Sequence, residues 1–326
     1  MFCKTRVAVL RGGPSSEYHV SLKTGAMVLA NLPEQYHPID VLIDLDGAWH
    51  YNGKKERHHN ILDKVDVVWN ALHGEFGEDG AVQHLLESHG VRFSGSKRLG
   101  SGFSFNKFLA RQVAERGGIK TPHALVFRRE DVQRYEVLAG ELYRTFPQPC
   151  IVKPVSKGSS IGISVAHTPE EIAAALATAF SVSERILVEE FIEGREAVCG
   201  VVEGFRGSPF YSLLPVEVAL PEGHRFFNFE TRYGEALNHR CPGSFSTEEK
   251  EELQHLAQEI HRLLGLRHYS RSEFIVHPKR GIFFIEADAL PDLHENVSPY
   301  LQSLNAVGAS LPEFLQHILT LTLSKR

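Results

Sequence analysis

The chain has 326 residues, 42% hydrophobic and 23% charged, a globular composition long enough for two or three units with their own cores. Thirty-five Lys and Arg against 40 Asp and Glu give a formal net charge of −5, which argues against a general nucleic-acid binder. No apolar run approaches the roughly 18 residues of a membrane-spanning helix, and the four dispersed cysteines form no CxxC pair, so a disulfide framework and a cysteine zinc site are set aside. The N-terminus lacks the apolar core of a signal peptide, and with this cysteine usage a cytoplasmic location is expected.

The first hundred residues alternate strands and helices. Short apolar runs at 6–10 (RVAVL), 39–43 (IDVLI), 65–69 (VDVVW) and 91–94 (VRFS) read as buried strands, with helices at 21–30 and 81–89. That rhythm predicts a doubly wound parallel sheet. Residues 97–102 (KRLGSG) read as a glycine-rich break, and 105–116 resumes a helical pattern. The second unit runs strand (150–153), glycine-serine turn, strand (163–166), helix (172–179) and strand (185–191), an α+β pattern. Thr168-Pro-Glu-Glu171 supplies a capping box with proline at the first helical position. In the last third, strands at 196–202 and 212–219 precede a long aromatic and polar loop at 221–239. A helix capped at Ser246 carries the stripe Leu253, Leu256, Ala257, Ile260, Leu263 and Leu264. A hairpin pair at 274–276 and 282–286 and a helix at 310–321 close the chain. The resulting division is 1–102, 103–193 and 194–326.

Five segments carry candidate chemistry. VAVLRGGPSSE (7–17) runs a strand into a small-residue loop that ends at an anion, Glu17; an ordinary βα turn reads the same way. LHGEFGEDG (72–80) holds three glycines and three acids beside His73, which could orient or polarise a carboxylate, while Glu78 and Asp79 could cap the next helix. KPVSKGSSIG (153–162) offers Lys153 as a point charge, backbone-permissive glycines, and donors from Ser159 and Ser160. It suits a phosphate grip, although no Walker A spacing is present. Glu189 and Glu196 lie in an acidic run that could hold ribose hydroxyls or an adenine amino group. Glu273, Glu286 and Asp288 on two adjacent strands would share a face as oxygen ligands suited to Mg²⁺, beside Arg271.

LRGGPSSEYHVSL, LHGEFGEDG, FNK, IVKPVSKGSSIG, VEEFIEGRE, FFNFETRY, CPGSF, YSRSEF and IEADALP together resemble the D-alanine–D-alanine ligases of the ATP-grasp superfamily, in order and spacing over nearly the whole chain. The resemblance implies an α/β domain followed by a two-part ATP-grasp fold that clamps ATP with two Mg²⁺ ions, Mn²⁺ being an alternative. The first D-alanine's carboxylate would take the γ-phosphate, and the second D-alanine's amine would then displace phosphate from the acyl phosphate. By the same resemblance, Glu17, Ser159 and Tyr233 hold the first amino acid, with His73 near its carboxyl end. Lys107, Lys153 and Ser160 contact phosphates, Glu189 and Glu196 hold adenosine, and Arg232 replaces a lid lysine. Arg271 steadies the tetrahedral intermediate, and a homodimer is implied.

Departures from that pattern bear on the second substrate. Glu273 stands for an aspartate and Asp288 for an asparagine among the implied metal ligands. Asp292 replaces a glycine and Val297 a serine in the implied acceptor subsite, with Ser298 one position away. A carboxylate at 292 aimed inward, about 5 Å from an incoming carboxylate at an effective dielectric near 20, would repel it by roughly 3 kcal/mol. The motifs as a whole still imply D-alanyl-D-alanine formation for peptidoglycan precursors, with free D-alanine expected to be a poor second substrate. A ligase with another acceptor, or a nucleotide-binding paralogue impaired in ligation, are the alternatives.

Overall fold

The computed structural model describes residues 4–158, 161–219, 238–294 and 298–324. Ser159, Ser160, Arg232, Tyr233 and Val297, with most of the 221–239 loop, lie outside the described residues. No described helix is long and apolar enough to cross a membrane.

The first sheet is built on β1 (Thr5–Gly12), with β2 (Tyr36–Ile43), the short β3 (Trp49–Tyr51) and β4 (Lys54–Lys55), and β5 (Val67–Asn70), in the order β4-β3-β2-β1-β5. β2 and β5 pair parallel to β1, and β3 and β4 extend the edge antiparallel. β1 is buried on both faces, as its unbroken VAVL requires. Val7 and Val9 pack with Val28 of the helix Tyr18–Asn31, while Ala8 and Leu10 pack with Val82 and Leu86 of the helix Ala81–Ser88. Helices on both faces make the sheet doubly wound. The chain leaves β1 toward β2 on one side and returns to β5 on the other, so a topological switch point opens between the C-terminal ends of β1 and β5.

Two readings of this region need correction. Residues 91–94 make a single parallel bridge, Val68 to Phe93, and no strand. The break read at 97–102 is helix, Arg98–Phe105, and the division placed at 102 falls inside it. A Cβ on Gly100 would lie 2.7 Å from the Gly265 carbonyl oxygen, so this glycine permits close packing of the helix and marks no linker. Asn106 then caps Lys107–Arg116 by accepting the Leu109 N–H at 3.1 Å.

The second sheet is antiparallel, with β6 (Ala124–Arg128), β7 (Cys150–Pro154), β8 (Ser164–Ala166) and β9 (Arg185–Glu190) in the order β6-β9-β7-β8. Val152, Ile186 and Val188 face a core shared with Leu142, Leu176 and Phe180. By strand alternation Lys153, Leu187 and Glu189 point the other way. The helix Pro169–Val182 starts at Thr168, which accepts the Glu171 N–H. The expected capping box is only half formed, because the Glu171 carboxylate accepts the His167 N–H in place of that of Thr168.

The third sheet holds β10 (Arg195–Glu203), β11 (Phe210–Ser212), β12 (Val216–Ala219), β13 (Asn238–Arg240), β14 (Tyr269–His277) and β15 (Gly281–Asp288). Its order is β13-β12-β10-β14-β15, with β11 on β10. The strand expected at 212–219 is two strands, and His239, expected in a loop, belongs to β13. Ser246 and Glu249 close a full capping box on Thr247–Leu263.

One irregularity sets the face that matters. Phe274 pairs with Phe284, but Glu273 pairs with Glu286, so β15 carries an extra residue between them. In a regular strand Glu286 would share the face of Phe284, which is core. The bulge reverses that parity and puts Glu286 and Asp288 on the face of Glu273 and Arg271.

The C-terminal third also closes the first sheet. Trp69 stacks on Tyr269 with ring centroids 6.1 Å apart and meets Phe314 edge-on at 6.3 Å. Trp69→Ala is expected to cost about 3–5 kcal/mol. Because this core joins both ends of the chain, urea unfolding followed by fluorescence and by circular dichroism should shift together. A loss confined to one probe would show that the ends unfold separately.

Candidate functional site

One cavity gathers side chains from all three parts of the chain. Its lining includes Glu17, His73, Glu78, Lys107, Lys157, Gly158, Glu196, His239, Arg271, Glu273, Glu286, Asp288 and Asp292. Of the residues singled out in the sequence, Glu17, His73, Lys107, Glu196, Arg271, Glu273, Glu286 and Asp288 therefore come together. Lys153 and Glu189 sit apart from this lining. Ser159, Ser160, Arg232 and Tyr233 lie outside the described residues.

The switch-point loops supply the first group. Glu17 ends the loop after β1, where its backbone N–H donates to Ser15 Oγ at 3.0 Å. Its carboxylate lies so close to the Gly158 backbone that a Cβ there would stand 1.8 Å from Oε1. Gly158 is therefore a requirement of contact between the glycine-serine turn and the first unit. His73, 3% exposed, has Nε2 2.9 Å from Thr24 Oγ1 and Nδ1 3.6 Å from Glu78 Oε1. Glu78 does not cap the following helix. It accepts the Gly74 N–H at 2.8 Å, and Asp79 takes the N–H of Ala81, the first residue of that helix.

Burial pushes the His73 imidazole down, but the Glu78 hydrogen bond and the charges of Glu78, Glu17 and Asp288 outweigh it and raise its pKa to about 9. Burial first, then the Asp288 charge, pushes Glu78 up against the pull of His73. The pair thus retains protons that its members would ordinarily release. Glu17, His73 and Glu78 also bring ligand-type atoms within 4.8 Å of one another.

The third sheet supplies the second group. Glu273 faces Glu286, and Arg271 faces Asp288, across β14 and β15. Arg271 contacts Glu273 at 3.2 Å, Asp288 at 3.0 Å and Asp292 at 3.9 Å. Lys107, from the helix that follows Asn106, reaches Glu286 at 3.1 Å and donates to the Lys157 carbonyl oxygen at 2.8 Å. The donor set of Glu273, Glu286 and Asp288 is all oxygen and lies on one face, which fits a hard divalent cation. Among the described residues, Arg271 and Lys107 already share its charge.

Lys153 and Glu189 are 3% and 4% exposed and pair at 2.6 Å on the covered face of the second sheet, opposite its Val152–Val188 core. Arg111 stands 3.8 Å from the same carboxylate. Sequence reasoning missed Arg111, Glu75 and Lys157. An i+4 cation after Lys107 was the available signal for Arg111; nothing local marked Glu75. Asp292 does line the cavity, as expected, but its carboxylate leans toward Arg271. Ser298 donates to the Asp292 carbonyl oxygen at 2.6 Å and caps the helix Pro299–Ala306, so its hydroxyl is already committed.

The protonated pair predicts a pH dependence. His73 holds a folded-state pKa above its ordinary 6.5, and Glu78 is shifted upward too, so both bind more protons folded than unfolded. Their contribution to stability is complete at low pH and is lost as pH rises toward about 9. Tm should fall from about pH 4.5, where Glu78 ionises in the unfolded chain, to about 9, and Glu78→Gln should flatten that fall. An unchanged slope in the variant would remove the pair as its origin.

The comparisons with known proteins agree with one another. The family models described as D-ala D-ala ligase C-terminus and D-ala D-ala ligase N-terminus match residues 113–320, and 6–63 with 52–96. A D-alanine–D-alanine ligase of Geobacter sulfurreducens is 36% identical over 295 residues, 89% of this chain and 85% of that protein. The D-Ala:D-Ser ligase VanG of Enterococcus faecalis superposes with a TM-score of 0.85 at 26% identity, covering 98% of this chain and all of its own. D-alanyl-alanine synthetase A of Vibrio cholerae gives 0.86 at 25% identity, with both chains fully covered.

Proposed function

The chain belongs to the D-alanine–D-alanine ligase family, and we propose that it joins two D-alanines at the expense of ATP for peptidoglycan precursor synthesis. The observation that carries the reading is the single cavity in which the β14–β15 carboxylates meet cations from separate elements, opposite the buried His73–Glu78 pair. In this reading the chain up to the helix Arg98–Phe105 binds substrate, the part from that helix to 193 forms the small ATP-grasp part, and 194–326 carry the metal ligands and the lid. The first D-alanine's carboxylate oxygen bonds to the γ-phosphorus as the bond to ADP breaks. The second D-alanine's amine then forms the amide as phosphate leaves and the amine loses its proton.

Glu17 would bind the first substrate's ammonium, with Ser159 and Tyr233. His73, kept protonated by Glu78 and Glu17, would face its carboxylate. Lys107 would meet the phosphates, with Lys153, Ser160 and Arg232 assigned to the same task by resemblance, and Glu189 and Glu196 assigned to adenosine. Arg271 would balance negative charge at the reacting carbonyl. Glu273, Glu286 and Asp288 would hold the divalent ions, Mg²⁺ in this reading and two in number, which neutralise phosphate charge when bound. A cytoplasmic location, read from cysteine usage, and a homodimer, which rests on the family resemblance alone, complete the reading.

A second reading changes only the acceptor. Asp292 brings a further carboxylate to the cavity, and Ser298 is committed to its helix. Arg271 offsets part of the repulsion that Asp292 would otherwise exert, so the penalty on a free carboxylate should be smaller than the roughly 3 kcal/mol of an unpaired charge.

Phosphate release with and without D-alanine, with products identified by mass spectrometry, tests both readings. D-Alanyl-D-alanine formation supports the first. Phosphate release without that dipeptide, in the presence of other amines that are consumed, supports the second. ATP with Mg²⁺ should raise Tm well above ATP with EDTA. Glu286→Gln should remove the difference, and an unaltered response would take Glu286 out of the metal set.

A further inference from the structure

Glu75 and Lys157 form an ion pair between loops that are 82 positions apart in the chain. Glu75 lies in the switch-point loop after β5, and Lys157 in the turn after β7. Around this pair the contacts run in two directions. Ser15 Oγ and Ser16 Oγ donate to Glu75 at 3.4 and 3.3 Å, and Ser15 Oγ also accepts the Glu17 N–H. On the other side, the Lys157 carbonyl oxygen receives Lys107, which pairs with Glu286, and the next residue, Gly158, abuts the Glu17 carboxylate. Glu75 thus reaches Glu17 by two routes, through a serine hydroxyl and through the Lys157–Gly158 backbone. The groups are only about a quarter exposed, 26% for Glu75 and 28% for Lys157, so solvent screens the pair incompletely.

We propose that Glu75 and Lys157 are positioning residues whose ion pair clamps the 157–158 turn onto the first unit and so holds Glu17 in place for the first substrate. The inference rests on the ligase reading for its substrate and on geometry for the clamp. A bound nucleotide and a bound amino acid would feel the pair differently. Glu17 belongs to the amino-acid end, whereas Lys107 keeps its own contact with Glu286 when the pair is broken. Loss of either charge should therefore weaken D-alanine more than ATP.

The test is a double-mutant cycle on the full-length protein. Glu75→Gln and Lys157→Met should each raise the KM for D-alanine about tenfold, with the ATP KM within about twofold, and the double variant should be no worse than either single one. Lys157→Arg should recover most of the loss, because it keeps the charge. Without any ligand, amide exchange across residues 73–78 and 153–158 should quicken in both single variants and return toward the parent in Lys157→Arg. Parental D-alanine KM in the single variants, an additive loss of about a hundredfold in the double, or unchanged exchange would each overturn the clamp. A rise in ATP KM confined to Lys157→Met would likewise overturn it, making Lys157 a nucleotide ligand. If the parent makes no dipeptide, the ligase reading fails by itself, and the exchange data still decide the clamp.

Discussion

Charge is concentrated in this cavity, and the rest of the structure is arranged around holding it there. Glu273, Glu286, Asp288 and Asp292 lie together on or beside one face of β14 and β15. Two unit charges about 5 Å apart at an effective dielectric near 20 repel by roughly 3 kcal/mol, so four carboxylates need partners if the sheet is to remain ordered. Arg271 meets three of them and Lys107 the fourth. A metal ion added to this face enters a site in which positive charge is already shared, so binding must rearrange existing ion pairs as well as relieve repulsion. Removing Arg271 would take one shared cation from three acids at once, which makes its substitution a poor probe of catalysis alone.

The first unit solves a related problem by another means. His73 and Glu78 are buried where a lone charge of either sign would be costly. Retaining protons on the pair lowers the negative charge that faces Glu17 and Asp288. The loops bearing these groups sit at the switch point between β1 and β5, where parallel strands leave a crevice that helices do not cover. Their placement depends on the strands, and the strands depend on a core completed by Tyr269, Tyr300 and Phe314 from the far end of the chain. Site geometry and global packing are consequently linked through Trp69, which lies in β5 a few residues before His73.

Several features were legible in order along the chain. The VAVL run, the capping residues Thr168 and Ser246, and the alternation in β7 and β9 are local patterns, and local patterns follow from backbone and side-chain chemistry within a few residues. The glycine-rich stretch 97–102 misled because glycine is used both for turns and for close helix contact, and only the position of Gly265 tells which applies. Glu75 was invisible for a similar reason. A glutamate in an acidic loop carries no mark of a lysine that meets it from another sheet.

By itself the sequence determined the fold class, the run of elements and the chemical kinds present at the site, because hydrophobic period, capping and motif spacing act over short distances. It also listed Glu273, Glu286 and Asp288 as ligand types. Strict alternation, however, would have sent Glu286 to the core side with Phe284. The tertiary structure decided otherwise through one extra residue in β15, since a bulge changes side-chain parity without changing composition. Which cation meets which carboxylate was likewise left to the fold, because Arg271, Lys107 and Lys157 find their partners through sheet register and helix placement that no local pattern encodes.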